Sequence, residues 1–338
     1  MPSPQATVIV PTLDGGEKLE RCLAGLEAQT FTDFEIVVVD NSGRGSAAGA
    51  ARDPRVEFVA NDANVGFAAA INQGIERARG EFLCTLNDDA RPDPRWLEEL
   101  VAACRAEDGI GMCASQIRLA QSPSRLDSAG MQIYLDGSSK QRGRGEPAAA
   151  FDRPEEVLLP SACAALYRRS MLNHVGGFDA DFFLYCEDTD LGLRARRAGW
   201  KCLYVPSATV YHHYSESAGR ASPAKAFFVE RNRLYTVVKN FPLWVLPLIP
   251  FFSLYRYSMH LWSLATGRGL ASEFSRRGEK WWKLVIIMLS ANFQALAKLP
   301  LLTAKRRRIR RTAVLSGRAF WRLLRRHSIS ARDLALQQ

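Results

Sequence analysis

The chain is poor in histidine, with five in 338 residues, and its seven cysteines form no CxxC pair. A disulfide scaffold and a cysteine-ligated zinc site are not expected, and the thiols read as reduced and mostly buried, as in a cytosolic protein. The N-terminus has no basic stretch followed by an apolar run, so no secretory signal is expected. No uninterrupted apolar run has the length of a simple membrane span. The GxxxxGK(S/T) pattern is missing, and the Gly-rich stretch 43–49 does not fit GxGxxG. P-loop NTPases and dinucleotide-binding dehydrogenases are therefore set aside. No internal repeat is evident.

What is present suffices for a full core. Hydrophobic residues make up 47% and charged residues 24%, which excludes wholesale disorder. The net charge of +10 hides a division. From residue 225 onward there are 22 Lys and Arg against 4 Asp and Glu, whereas residues 1–224 hold 23 against 31. Two regions of opposite sign predict two roles, so the expected domains are 1–224 and 225–338. The basic region calls for a polyanion, and the acidic one could hold metal ions.

Residues 7–12, Thr-Val-Ile-Val-Pro-Thr, read as a buried strand. Leu19, Cys22, Leu23 and Leu26 then recur at helical spacing. Further strands are expected at 34–40, 56–59, 81–86 and 110–115, with helices at 68–79 and 94–106 between them. This alternation predicts an α/β fold with a mostly parallel central sheet and flanking helices. Ligands in such sheets bind beyond the carboxyl ends of the strands, where Asp40 and Asp89 both fall. Residues 118–158 read as loops with a short strand at 132–135. A strand at 161–167, a helix headed by Glu187-Asp188-Thr189-Asp190 and short strands at 201–205 and 209–213 follow. The basic region reads as amphipathic and helical, with apolar residues 281–302 running into an arginine cluster at 305–311.

Several groups could do chemistry, and each has a plainer reading beside it. Asn87-Asp88-Asp89 could bind Mg²⁺ or Mn²⁺, or could simply be a capped turn before Pro92. Glu187 and Asp188 could supply a general base, or could be an acidic helix N-terminus favoured by the macrodipole. Asp190 is placed to pair with Arg194 one turn on. His212 or His213 could complete a metal site, or be structural. Asp40 could meet a nucleotide base or ribose, or close its own turn.

Taken in order, these segments are more specific than their parts. Residues 8–12 (Val-Ile-Val-Pro-Thr), 37–42 (Val-Val-Val-Asp-Asn-Ser), 64–67 (Asn-Val-Gly-Phe) with 70–72 (Ala-Ile-Asn), 86–89 (Leu-Asn-Asp-Asp), 187–191 (Glu-Asp-Thr-Asp-Leu) with Arg194, and Tyr211-His212 follow one another. The chain thereby resembles the inverting family 2 glycosyltransferases of GT-A fold, most closely the rhamnosyltransferase-like subgroup of bacterial polysaccharide assembly. The resemblance covers about residues 5–215.

The resemblance implies a role for each position. Pro11, Thr12 and Asp40 would line the nucleotide pocket, with Asn64, Asn72 and Asp88 around the nucleotide-sugar. Asp89 and His212 would be the ligands of a Mg²⁺ or Mn²⁺ cofactor. Asp188 would be the catalytic base, with Glu187 beside it. Asn87 stands where the family's metal motif starts with Asp, which leaves one charge fewer. The implied reaction moves a sugar, rhamnose by this analogy, from a nucleoside-diphosphate donor to a glycan or lipid-linked acceptor. A cation would stabilise the leaving diphosphate, and a carboxylate would deprotonate the attacking hydroxyl. Two other readings stand beside it. A sugar-phosphate nucleotidyltransferase would want a Gly-rich N-terminal loop with Arg and Lys, which residues 11–16 lack; an inactive membrane-docked scaffold would tolerate Asn87. The aromatic, basic C-terminal region suits an anionic membrane surface. No nucleic-acid module is recognisable. The expected location is the cytoplasm, peripheral on the inner face of the cytoplasmic membrane.

Overall fold

The structure is a computed structural model and describes residues 3–47, 49, 53–213, 222–267 and 281–336. The chain divides into two compact units. The first comprises residues 1–131 and 141–217, and the second 132–140 and 218–338. The division thus lies at 217/218, where the charge count had suggested 224/225. The second unit also takes a nine-residue piece from the middle of the first, which composition could not reveal.

In the first unit the elements are β1 (Ala6–Thr12), α1 (Gly16–Glu27), β2 (Phe34–Asp40), β3 (Val56–Ala60), α2 (Phe67–Arg77), β4 (Phe82–Leu86), β5 (Ala90–Pro92), α3 (Trp96–Arg105) and β6 (Ile110–Leu119). Then come β7 (Ser122–Ser128), β8 (Met131–Ile133) and β9 (Ser139–Gln141), the last two falling largely in the 132–140 piece of the second unit, and after them β10 (Glu155–Glu156), β11 (Ala164–Arg168), α4 (Arg169–Val175), α5 (Glu187–Arg197) and β12 (Lys201–His212). The main sheet runs β10-β12-β6-β11-β4-β1-β2-β3.

The Val/Ile runs of β1 and β2 are buried on both faces. Val8 and Val10 pack with Leu19 and Leu26 of α1 and Leu97 of α3. Ile9, Val37 and Val39 face the other way, against Ile71 of α2, Met171 of α4 and Leu191 of α5. Period-two alternation thus feeds two helical layers. Gly74 lets α2 close on β1, because a Cβ there would lie 2.3 Å from Ile9 Cγ2.

The parallel register holds across β3-β2-β1-β4 and again between β12 and β6. β11 runs antiparallel to both its neighbours and so interrupts the parallel pairings of the central sheet. The chain turns back where β7 pairs antiparallel with β6, and β11 runs in the same sense as β7. Residues 118–158 hold more strand than their Gly, Ser and Pro content suggested, since β7 pairs with β6. The two short strands expected at 201–213 are one long β12 with an irregularity between Val205 and Thr209.

The second unit is helical. Its elements are α6 (Pro223–Asn240), a 3₁₀ turn (Leu243–Leu248), α7 (Ile249–Ala265), α8 (Trp281–Ala297), α9 (Leu299–Thr312), α10 (Gly317–Arg326) and α11 (Ala331–Leu336). The apolar run at 281–302 is not one helix but breaks at Lys298. Ser222 caps α6 by accepting from Lys225 N at 3.2 Å.

Among its buried apolar residues this unit also encloses an ionic cluster. Asp136, from the 132–140 piece, accepts from Arg256 Nε at 2.6 Å. Its backbone carbonyl accepts from Arg233 Nη1 at 2.7 Å. Glu230 accepts from Arg233 at 2.5 Å, Arg256 at 2.8 Å and the Tyr257 hydroxyl at 2.7 Å. All four charged groups are buried. Such groups persist in low dielectric only when each is matched, as here two against two.

Candidate active site

The parallel register places Thr12 beside Asp40 at the carboxyl edge of the sheet. β4 ends at Leu86, and Asn87-Asp88-Asp89 turns over that same edge. β5 then pairs antiparallel with β12, which sets His212 opposite Ala90. Topology therefore joins residues that are 123 positions apart in sequence.

At this edge Thr12 Oγ1 donates to Asp88 Oδ2 at 2.6 Å and accepts from Gly15 N at 3.0 Å. Burial, with the neighbouring Asp89 charge, pushes the Asp88 carboxyl up to about 6, against the opposing Thr12 bond. His212 Nε2 lies 3.2 Å from Asp89 Oδ1. On its other side, His212 Nδ1 is 2.6 Å from Asp127 Oδ2, and Arg144 pairs with Asp127 in turn. All four side chains are buried or nearly so.

These residues fit a divalent cation. Asp89 Oδ1 and Asn87 Oδ1 are buried oxygens without a hydrogen bond of good geometry. With Nδ1 turned to Asp127, the lone pair available for a metal is on Nε2, the nitrogen nearest Asp89. Among the described residues no three His, Cys, Asp or Glu side chains gather as a complete metal site. Two protein ligands are what a cation shared with substrate phosphates needs.

The carboxylates of α5 belong to the same edge. Asp188 Oδ2 accepts from Ala162 N at 3.3 Å, and Oδ1 from Thr189 N at 2.6 Å. The next carbonyl, that of Cys163, accepts from Asn87 N at 2.8 Å. Residues 162–163 thus tie Asp188 to the Asn87-Asp88-Asp89 turn. Burial raises the Asp188 carboxyl above its ordinary range, despite these bonds. Glu187 is raised further, by burial and then by the Asp188 charge, and its Oε2 is buried without a partner. Asp188 itself stays partly open, as a base that meets a substrate must. Asp190 is structural: it binds Arg194 Nε at 2.9 Å, and Arg194 holds the carbonyls of Val175, Gly176 and Gly177.

Other positions singled out from sequence hold the local backbone. Asp40 accepts from Ser42 N at 2.9 Å and Ala47 N at 2.8 Å. Burial would raise its carboxyl, but these bonds outweigh burial and hold it below the usual range. Asn64 Oδ1 accepts from Asn41 Nδ2 and Gly66 N, both at 2.9 Å. Asn72 closes both ends of its amide on the backbone of Phe178, so it ties α2 to the loop ahead of α5. Pro11 lies in β1. His213 uses its backbone N–H on Asp89 O at 2.9 Å, and its side chain lines a narrow cleft with Lys18, Arg21 and Arg91. A wider groove of about 470 Å³, lined by Gln116, Arg118, Asp152 and Ser207 among others, contains none of the site carboxylates Asp40, Asp88, Asp89, Glu187 or Asp188.

Sequence reasoning missed Asp127 and Arg144. They fall in the stretch read as loop, and only the β6–β7 pairing brings Asp127 to His212. It also missed the backbone before α5. Phe183, Tyr185 and Cys186 all have positive φ, at 62°, 70° and 65°. Three such non-glycine residues just ahead of Glu187-Asp188 store strain that their surroundings must hold. The Phe67 N–H holds it by donating to Phe183 O at 2.7 Å. Gly66 makes that approach possible: a Cβ there would lie 2.6 Å from Phe183 O and from its ring, at a φ of +86°. Gly66→Ala is expected to cost about 2 kcal/mol of stability and to lower turnover at least tenfold. Thermal melting and a turnover assay read the two effects.

Residues 7–176 match the Glycosyl transferase family 2, and residues 149–304 match the Glycosyl transferase family group 2. The N-acetylglucosaminyl-diphospho-decaprenol L-rhamnosyltransferase of Mycobacterium tuberculosis is 34% identical over 240 residues, covering 63% of this chain and 77% of that protein. The chain belongs to glycosyl transferase family 2. This family 2 transferase is also 30% identical over 237 residues to the O-antigen biosynthesis protein RfbC of Myxococcus xanthus, covering 66% of the chain but 18% of that longer protein. Among solved structures, the mannosyltransferase PcManGT of Pyrobaculum calidifontis, in complex with GDP-Man and Mn²⁺, superposes with a TM-score of 0.52 at 17% identity, covering 88% of each chain. GalNAc-T7 with UDP, GalNAc and Mn²⁺ gives a TM-score of 0.57 at 16% identity, over 70% of this chain and 48% of that one. The transferase therefore has the GT-A fold.

Proposed function

We propose that this family 2 transferase moves one sugar, rhamnose by analogy with the mycobacterial relative, from a nucleoside diphosphate to a lipid-linked glycan, with inversion at the anomeric carbon. The observation that carries the reading is the tie through Ala162 and Cys163, which links the partly open Asp188 to the Asn87-Asp88-Asp89 turn.

Asp188 accepts the proton of the acceptor hydroxyl as that oxygen attacks. A single base on the face opposite the leaving group gives one displacement and inverted stereochemistry. The Ala162 and Thr189 N–H groups fix the carboxylate in place. Asp89 and His212 would hold Mg²⁺ or Mn²⁺, which supplies positive charge to the departing diphosphate. Asp127 keeps the His212 ring turned with Nε2 toward Asp89. Thr12 positions Asp88. The Asp40 and Asn64 turns shape the edge on which the nucleotide would lie. The transferase works at the inner face of the cytoplasmic membrane as a peripheral protein. Its seven buried cysteines and basic second unit support that placement.

The test is nucleoside-diphosphate release from UDP-, dTDP- and GDP-sugars, with Mn²⁺ or Mg²⁺ and with chelator. Release from one donor is expected, with at least a hundredfold loss in chelator. Undiminished release in chelator would overturn the metal assignment. Silence on every donor, with lipid extract supplied as acceptor, would move the protein to a non-catalytic scaffold.

A further inference from the structure

In a water-soluble helical unit, large apolar side chains turn inward and small or polar ones outward. Two helices of the second unit do the reverse. α8 packs on α6 through Ala291 and Ala295, which are buried, while Arg231 of α6 donates to Gln294 of α8 at 2.9 Å. Its opposite face carries Trp282, Val285, Ile286, Leu289, Phe293 and Leu296, all exposed, with Leu289 at 65% and Phe293 at 75%. These recur at spacings of three and four, so they form one stripe. Beyond Ile249 at its start, α7 buries Ser253, Arg256 and Ser263 and exposes Phe251, Leu254, Tyr255 and Leu261. Such stripes are larger than scattered surface apolar residues, and they call for a cover.

Charge identifies the cover. α8 has no acidic residue, and α9 continues from it with Arg307, Arg308, Arg310 and Arg311 exposed. Among the described residues no single helix is long and apolar enough to cross a membrane. Among those residues one pair, 285–297 with 299–312, passes together by length and composition, and it is bent by 62° at the break. A bent pair with a charged second arm lies along a bilayer surface more readily than through it.

We propose that the outward stripe of α8, with that of α7, inserts into one leaflet of an anionic phospholipid membrane, while the exposed arginines of α9 hold its phosphate headgroups. This rests on the reading of the protein as membrane-peripheral and adds the surface and the depth. Lys and Arg at the headgroup level and aromatics just below are the arrangement an interfacial helix requires. The unit's buried ionic cluster, Asp136 and Glu230 against Arg233 and Arg256, then lies inside a body whose outside is partly lipid.

The full-length protein is sedimented with vesicles of phosphatidylcholine alone or with 30 mol% (about one third) phosphatidylglycerol. Wild type is expected to bind the anionic vesicles and to lose at least tenfold in partition when the salt is raised to about 0.5 M. Leu289→Ser with Phe293→Ser, and separately Gln at positions 307, 308, 310 and 311, should each weaken partition at least tenfold. Both variants should keep donor hydrolysis, which shows that they fold. A fluorophore on Phe293→Cys should shift to the blue with anionic vesicles, and alkaline carbonate should release the protein. No binding by wild type would overturn the membrane reading itself. Binding unchanged in both variants would leave that reading intact and overturn this surface. Carbonate-resistant binding would replace surface insertion by a span. A lipid-free dimer that the Leu289/Phe293 variant abolishes would assign the stripe to a second copy of the chain.

Discussion

Asp188→Asn is expected to lower sugar transfer by about 10²- to 10⁴-fold while leaving donor affinity within about twofold. Asn keeps the size of the side chain and one oxygen, which can go on accepting from the Thr189 N–H at 2.6 Å, while the longer 3.3 Å bond from the Ala162 N–H is given up. The main loss is the ability to take a proton. Burial holds the Asp188 carboxyl above its ordinary value of 3.8, and the base works only when ionised. Activity should therefore be present above that raised pKa and fall as pH drops through it, so the acid limb lies above the ordinary carboxylate range. Because Glu187 sits beside it and is raised too, the limb belongs to the pair. The same shift means that the folded state loses stability as pH rises from the ordinary carboxylate value to the raised pKa, and carries the full penalty above it. The Asn variant should thus melt no lower than wild type at neutral pH. A variant that transfers sugar well, or that keeps the acid limb, would remove Asp188 from the role of base.

The second large effect is on stability. Arg256→Met leaves Asp136 and Glu230 to share Arg233 in a closed interior, with Asp136 losing its 2.6 Å partner. Removing one member of a buried charge set costs about 3–5 kcal/mol. The loss should appear as a lowered melting temperature and as faster amide exchange in α6 and α7. Adding Asp136→Asn should recover part of it, because the orphaned charge is then gone. An Arg256→Met protein as stable as wild type would show that water already reaches the cluster.

Much of the first unit was legible in the sequence because its signals are local. The Val-Ile-Val and Val-Val-Val runs announce doubly buried strands, and the short helices between them announce a layered sheet. The turn Asn87-Asp88-Asp89 and the helix head Glu187-Asp188 stand out by composition and order. The rest depends on pairing between distant segments. The antiparallel sense of β11, the reach of Asp127 to His212 and the Gly66–Phe183 contact leave no periodic trace. Asp40 and Asn72 show the limit from the other side. Both were legible as positions, but only the structure shows their side chains engaged with the backbone around Ser42, Ala47 and Phe178. The division at residue 217 was foreshadowed by charge, whereas the inclusion of 132–140 in the second unit had no compositional signal.

That inclusion governs the order in which the chain can be completed. Asp136 meets its cation 120 residues later. During synthesis the hairpin of β8 and β9 must wait, with an unmatched carboxylate, until α7 has emerged. Closing so long a loop is slow, and partly finished chains expose the surface that α6 and α7 will cover. The two units are thus not beads that can be cut apart or shuffled at residue 217. A chimera that exchanges the C-terminal helices between relatives must carry residues 132–140 with them, and a catalytic unit made alone keeps a charged hairpin with nothing to receive it.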